Sequence, residues 1–237
     1  MKIANVGLGG SYSADIAAKI RSEDFDEVWG INCVGGIIHV DKTIMMDPVS
    51  RFLDSENAGL QTGIARDFLE KNTKPIITCE MDKRVKHLEP YPLEAVIKEL
   101  NICYFNNTVP YAIAYAIYYG AKQLCLYGLD YTYRNVGMAE AGRACTEFWC
   151  AIATTRGIKI EVAHNSGLLD TNVPDNEKLY GYHRLDDPLV QTHKNGGLLI
   201  TKQSEQKPPE PLDQAPILYG RHDPVDLNKL NGSEKHV

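Results

Sequence analysis

None of the six cysteines (Cys33, Cys79, Cys103, Cys125, Cys145 and Cys150) belongs to a CxxC pair. Most sit in apolar runs such as QLCLYG and IITCE, where any small hydrophobe fits, so buried free thiols in a reducing compartment are expected rather than disulfides or a zinc site. The chain also lacks the GxSxG elbow, the GxxxxGK[ST] loop and any His/Asp/Glu constellation with metal-ligand spacing, which removes the commonest hydrolase and P-loop readings. No apolar stretch approaches the ~18 residues of a membrane helix. The opening MKIANVGLGG has no basic region followed by an apolar core. A cytoplasmic protein without membrane partners is the expectation. Basic residues are outnumbered, 25 against 31 acidic, for a net charge of -6. No overall positive field therefore draws a phosphate backbone or anionic membrane, and nucleic-acid contact needs a local patch.

What the 237 residues do contain is an alternation of short apolar runs and helical stretches. Lys2 to Val6 reads as a strand stopped by Gly7, Gly9 and Gly10, and Tyr12 to Arg21 as the helix that follows. Glu27 to Asn32, Thr43 to Met46, Pro75 to Cys79, Gln123 to Tyr127 and Ile158 to Val162 are further strands, nearly continuous in apolar character as in a parallel sheet covered on both faces. Helices are expected over Gln61 to Lys71, Pro92 to Leu100, Asn107 to Tyr119 and roughly Glu140 to Arg156. The pattern specifies an α/β fold, a doubly wound, mostly parallel sheet of Rossmann-like type with an irregular C-terminal extension. Residues 1–170 form the nucleotide-binding domain. Residues 171–203, rich in aromatic and charged side chains, form an arm packing on the domain or a partner subunit, and 204–237 a proline-containing, mobile tail. Tyr180, Tyr182 and Leu185 in the arm suit a partner surface, so a homodimer is expected.

In such a sheet ligands bind outside the carboxyl ends of the strands, and five candidates stand there. Gly9, Gly10 and Ser11 let backbone N–H groups approach an anion; the same loop also reads as a tight turn with Ser11 capping a helix. Its spacing is not GxGxxG, and the second strand ends in Asn32 rather than an acidic residue, which disfavours a plain NAD site. Asn32 can donate and accept to a base or ribose edge, or hold a turn. Asp47 ends the third strand with Arg51 four positions on: a carboxylate able to act as base and a guanidinium able to fork onto a phosphate, or a turn cap and a surface arginine. Asn107 and Thr108, after Asn106, offer N–H groups and short polar side chains before an apolar helix; capping accounts for one of the three. Gly128 and Asp130 end the strand QLCLY and place a carboxylate at the mouth of the sheet, or a carboxylate tying down its own turn. Asp47 and Asp130 are expected to face one crevice as catalytic groups. His183, in the arm, is a candidate phosphate or acceptor contact.

With these residues in view, the chain resembles the Rossmann-like superfamily that includes bacterial sialyltransferases and 6-hydroxymethylpterin pyrophosphokinase-like proteins, and also uncharacterised proteins of tailed bacteriophages. The resemblance rests on the Gly7 to Ser11 loop, Asn32, Asn107-Thr108 and the turn Leu126 to Asp130, and covers roughly residues 1–165. It implies a nucleotide held by Gly9, Gly10, Ser11, Asn32, Asn107 and Thr108, with Gly128 and Asp130 lining the site and no metal needed. No histidine stands between the sheet and the last helix, where the sialyltransferases carry their base. A phage origin implies a host-cytoplasmic enzyme whose acceptor is a modified DNA base.

Three functions follow. The leading one is a nucleotide-activated group transferase, a glycosyltransferase using a nucleotide-sugar donor, with Asp47 or Asp130 activating an acceptor hydroxyl. A pyrophosphokinase-like enzyme would use ATP and recruit the same carboxylates to Mg²⁺. A third is a protein that binds a nucleotide without turning it over.

Overall fold

Strand β1 (Lys2–Val6) is stopped by glycine and lies inside the sheet between β2 (Glu27–Ile31) and a strand about 120 positions later in the chain. The remaining strands are β3 (Lys42–Met45), β4 (Ile76–Thr78), β5 (Leu88–Pro90), β6 (Gln123–Tyr127) and β7 (Lys159–Val162). In this computed structural model they form one seven-stranded sheet in the order β5-β4-β3-β2-β1-β6-β7, with every pairing parallel. The expected doubly wound α/β architecture is the observed one. The structure describes residues 1–11, 24–59, 62–132, 135–184, 188–192 and 197–202. The helix expected over Tyr12 to Arg21 and the tail 204–237 lie outside those residues.

Alternation along each strand sorts the core into two faces. Ile3, Trp29, Ile31, Ile44, Leu124 and Leu126 bury against helices α3 (Leu93–Leu100), α4 (Thr108–Tyr118) and α5 (Val136–Thr155). Ala4, Val6, Val28, Cys125 and Tyr127 face the other way. Under β3 and β4, Met45 and Ile76 pack with Val49 and Phe52 of α1 (Val49–Asp54) and with Ala65, Phe68 and Leu69 of α2 (Thr62–Lys71). Helix α4 buries eight of its eleven residues, as its Ala/Ile composition requires, and stops at Gly120 with φ +83. No described helix is long and apolar enough to cross a membrane.

At the amino ends of β2 and β3, Lys42 pairs with Glu27 at 2.9 Å and lies over the Tyr119 and Trp29 rings at 4.3 and 5.0 Å. Burial works against its charge, but the Glu27 carboxylate outweighs it and raises the Lys42 pKa. This cluster fastens the last turn of α4 to the sheet edge remote from the carboxyl ends.

Two compact units divide the chain, Met1–Pro174 and Asp175–Val237. In the second, β8 (Pro188–Thr192) and β9 (Leu198–Lys202) form an antiparallel hairpin that the sequence reading missed. Arg184 stacks its guanidinium on Tyr180 at 5.0 Å.

Candidate functional site at the β1/β6 switch point

Chain direction places the crevice. From β1 the chain passes to β2 on one side, while β6 flanks β1 on the other, so the loops after β1 and β6 part at a topological switch point, the usual ligand position in open α/β sheets.

These loops are cross-tied. The Gly7 N–H donates to Tyr127 O and the Gly9 N–H to Gly128 O, both at 2.8 Å. The Ser11 N–H donates to Asp130 Oδ2 at 2.6 Å, and the Gly128 N–H donates to Ser11 Oγ at 2.9 Å. The contact explains two glycines sterically. A Cβ at Gly9 would stand 2.7 Å from both Gly128 O and Asp130 Oδ2, and Gly128 itself has φ +66 and abuts Gly7 O. Gly10 differs: among the described residues a Cβ there meets only Asp130 Oδ2, at 3.9 Å, and the residue is exposed.

Alternate N–H groups of the loop are thus consumed by the protein. Those of Leu8 and Gly10, both exposed, have no protein acceptor among the described residues. Asp130 is 8% exposed; its Oδ2 is engaged, while its Oδ1 is buried without a partner. Among the described residues, two donors and one carboxylate oxygen without partners therefore stand on the two loops that diverge here. Ser11, 2% exposed, serves this tie rather than opening its side chain to solvent.

Asn32 closes β2 next door. It adopts the left-handed conformation, φ 56, and its Oδ1 is buried with no partner. Tyr131, Leu169 and Asp170 are also non-glycine residues with positive φ, in the loops after β6 and β7. Backbone held off its preferred conformations gathers at binding and catalytic sites more than elsewhere.

Asn106 and Asn107 are committed to the protein. Asn107 Oδ1 caps the Val109 N–H at 3.0 Å and accepts from Tyr131 Oη at 3.1 Å, while its Nδ2 donates to Asn106 Oδ1 and Gly142 O. Asn106 Nδ2 donates to Ala141 O at 2.8 Å. The run therefore latches α4 to α5, a packing role that spacing could not show. Pro110 removes another N–H from that helix end.

Asp47 is not brought to Asp130. Two strands stand between β3 and β6, a separation of about 14 Å at ordinary strand spacing. Instead Asp47 pairs with Arg51 at 2.6 Å, and Arg51 also reaches Ala58 O at 3.2 Å. The two carboxylates do not share one mouth. Near Asp47, burial pushes the Cys33 thiol up to about 11, with the Asp47 charge adding to the shift. His183 lies in the turn Tyr182–Arg184 of the second unit, and its side chain is outside the described atoms.

Two residues that carry no motif join the crevice. The loop after β7 packs on Asp130, since a Cβ at Gly167 would lie 3.2 Å from its carbonyl oxygen. Arg143 of α5 donates to Gly167 O at 3.4 Å and pairs with Asp170 at 3.1 Å. A lone arginine inside an apolar helix gave no sequence signal. Among the described residues no group of three His, Cys, Asp or Glu could hold a metal ion. The hollow lined by Met81, Asp82, Lys83, Val85, His87 and Leu88 flanks the edge strand β5, four strands from β1, and has no part in this constellation.

No protein-family model matches the chain, and no curated protein matches it. Among solved structures, a mutant of the alpha-2,3/8-sialyltransferase CstII aligns with a TM-score of 0.46 at 15% identity, covering 71% of this chain and 84% of that one. A similar layout belongs to a sialyltransferase. CstII from Campylobacter jejuni in complex with a substrate analogue, CMP-3FNeuAc, aligns at 0.44 with 18% identity over 71% and 82% of the two chains. CST-II in complex with trisaccharide acceptor and CMP aligns at 0.45 with 16% identity over 70% and 82%. The likeness is a loose one of sheet and helix layout, and the chemistry is read from this chain's own side chains.

Proposed function

We propose that the protein is a nucleotide-activated group transferase, a glycosyltransferase whose nucleotide-sugar donor sits at the β1/β6 switch point. The observation that carries the reading is that the Leu8 and Gly10 N–H groups, without a protein acceptor among the described residues, and the unpartnered Asp130 Oδ1 belong to two loops tied together at this point. Backbone N–H groups fixed in a loop stabilise a phosphate without reorganisation, and they hold it better as its charge grows when the glycosidic bond breaks. Asp130 supplies the complementary group. Its engaged Oδ2 fixes the carboxylate in place, and Oδ1 accepts the proton of an incoming hydroxyl as that oxygen attacks the anomeric carbon. The nucleotide departs with the bonding electrons. Asn32, on the strand beside β1, offers an amide to the nucleoside.

Mass analysis of small molecules co-purifying with the protein tests this. The expected result is a nucleotide or nucleotide-sugar, with added nucleotide-sugar slowly cleaved to free sugar and nucleotide. Recovery of an added panel of nucleotide-sugars unchanged, with nucleotide bound, identifies a binding protein and contradicts the transferase reading.

A further inference from the structure

A buried amide lies unsatisfied in the interior strand β1. Asn5 is 0% exposed, and neither its Nδ2 nor its Oδ1 has a hydrogen-bond partner. Its register neighbours are Trp29 and Leu126, and it shares the sheet face of Ile3, which is otherwise apolar. Central strands of parallel sheets carry aliphatic residues at such positions, and an unpaired buried amide costs on the order of 1–3 kcal/mol. Packing alone gives no reason for asparagine here.

The distribution of orphaned groups supplies one. Five buried side-chain atoms lack partners among the described residues, and four belong to Asn5, Asn32 and Asp130. These three residues stand at the carboxyl ends of β1, β2 and β6, which are adjacent in the sheet. Orphaned polar groups scattered by poor packing would not gather around one crevice, whereas a polar ligand would use them together.

We propose that the Asn5 amide forms the floor of the nucleotide site and reads the nucleobase edge. This inference rests on the crevice being a nucleotide site. An amide offers one donor side and one acceptor side, the complement of the adjacent donor and acceptor on a base edge. With the phosphate at the exposed Leu8 and Gly10 N–H groups, the base lies inward. Asn5 is closed to solvent in this structure, so the contact requires a side chain of the Gly128–Tyr131 turn to swing aside while the backbone ties of Gly128 and Asp130 hold. Leu129 of that turn lies against Gly7, two residues beyond Asn5, and Tyr131 holds φ 54.

The test uses Asn5→Val, which removes both polar atoms with a small change in volume. Calorimetry is run with CMP, UMP, AMP and GMP, and with ribose 5-phosphate as a probe lacking the base. The expected result is a higher melting temperature for the variant, about tenfold or greater loss of affinity for the nucleotide that the parent binds most tightly, and unchanged affinity for ribose 5-phosphate. Equal nucleotide affinity in variant and parent overturns the inference while leaving the nucleotide site intact. A lower melting temperature overturns it too, because the amide then serves the fold. If the parent binds none of the four nucleotides, the reading of the crevice itself fails.

Discussion

Ser11 and Asp130, 119 positions apart, are joined by a hydrogen bond of 2.6 Å from the Ser11 N–H to Asp130 Oδ2. Ser11 in turn accepts the Gly128 N–H on its hydroxyl. One residue thus holds both ends of the β6 turn. Ser11→Ala leaves the buried Gly128 N–H without an acceptor and is expected to cost about 1–3 kcal/mol in denaturant unfolding. Gly9→Ala breaks the same contact by steric means and is expected to lower stability by a similar ~1–3 kcal/mol. Gly10→Ala, where a Cβ makes only an ordinary contact among the described residues, is expected to stay within about 0.5 kcal/mol of the parent. Equal stability of all three variants and the parent would mean that the loops do not meet as described.

Asp130 and Asp47 are expected to separate in function. Asp130→Asn keeps the shape of the turn but removes the proton acceptor, so turnover of the donor per folded molecule should fall by roughly two or more powers of ten. Asp47→Asn breaks only a surface pair with Arg51, worth about 0–1 kcal/mol. Activity should remain. If the two variants lose turnover alike, the site extends across β2 and the assignment of the base to Asp130 is wrong.

Much of the fold was legible because short apolar runs stopped by glycine or a polar residue mark parallel strands, and six of the seven strands could be read in this way. Strand β5, three residues ending in Pro90, is too short to show a period, and helix α1 is hidden in the six residues after Pro48. Positions at strand ends were legible, but their partners were not. Asn106 and Asn107 spend their amides on Ala141 and Gly142, and Arg143 reaches the loop after β7, through contacts about 35 and 24 positions apart in the chain. Strand order decided the remainder: Asp47 and Asp130 each follow an apolar strand, and only the sheet shows two strands between them.

Acid should loosen the connection between α1 and the segment after β4. Arg84 bridges Asp54 and Asp82, and its hydrogen bonds and charge hold the Asp82 carboxyl down to about 2 and that of Asp54 below its ordinary value. A lowered folded-state pKa means that stabilisation is complete above the ordinary carboxylate pKa of about 3.9 and is lost as pH falls towards 2. Carboxyl NMR titration should place the Asp82 midpoint about two units below that ordinary value, and Arg84→Gln should return it upward. An unchanged midpoint in the variant contradicts the bridge.

A dimer is expected from the second unit. Tyr180 and Tyr182 are 79% and 72% exposed, and Leu198, Leu199 and Ile200 of β9 are exposed as well. A two-stranded hairpin is marginal alone, and a second copy is the simplest cover for these side chains. Sedimentation at tens of micromolar, on the order of ordinary interface affinities, should give twice the chain mass. A monomer there removes the claim.

The central claim is that the loop Gly7 to Ser11 presents free N–H groups to a nucleotide phosphate, and calorimetry on Gly10→Val tests it most directly. Among the described residues a side chain at Gly10 meets no backbone, so the variant should fold, yet its side chain stands beside the donors that the phosphate needs. The parent is expected to bind at least one of CMP, UMP, AMP and GMP with Kd below about 1 mM, and the folded variant none of them. Undiminished binding by folded Gly10→Val, or no binding of any of the four by the parent, would contradict the account.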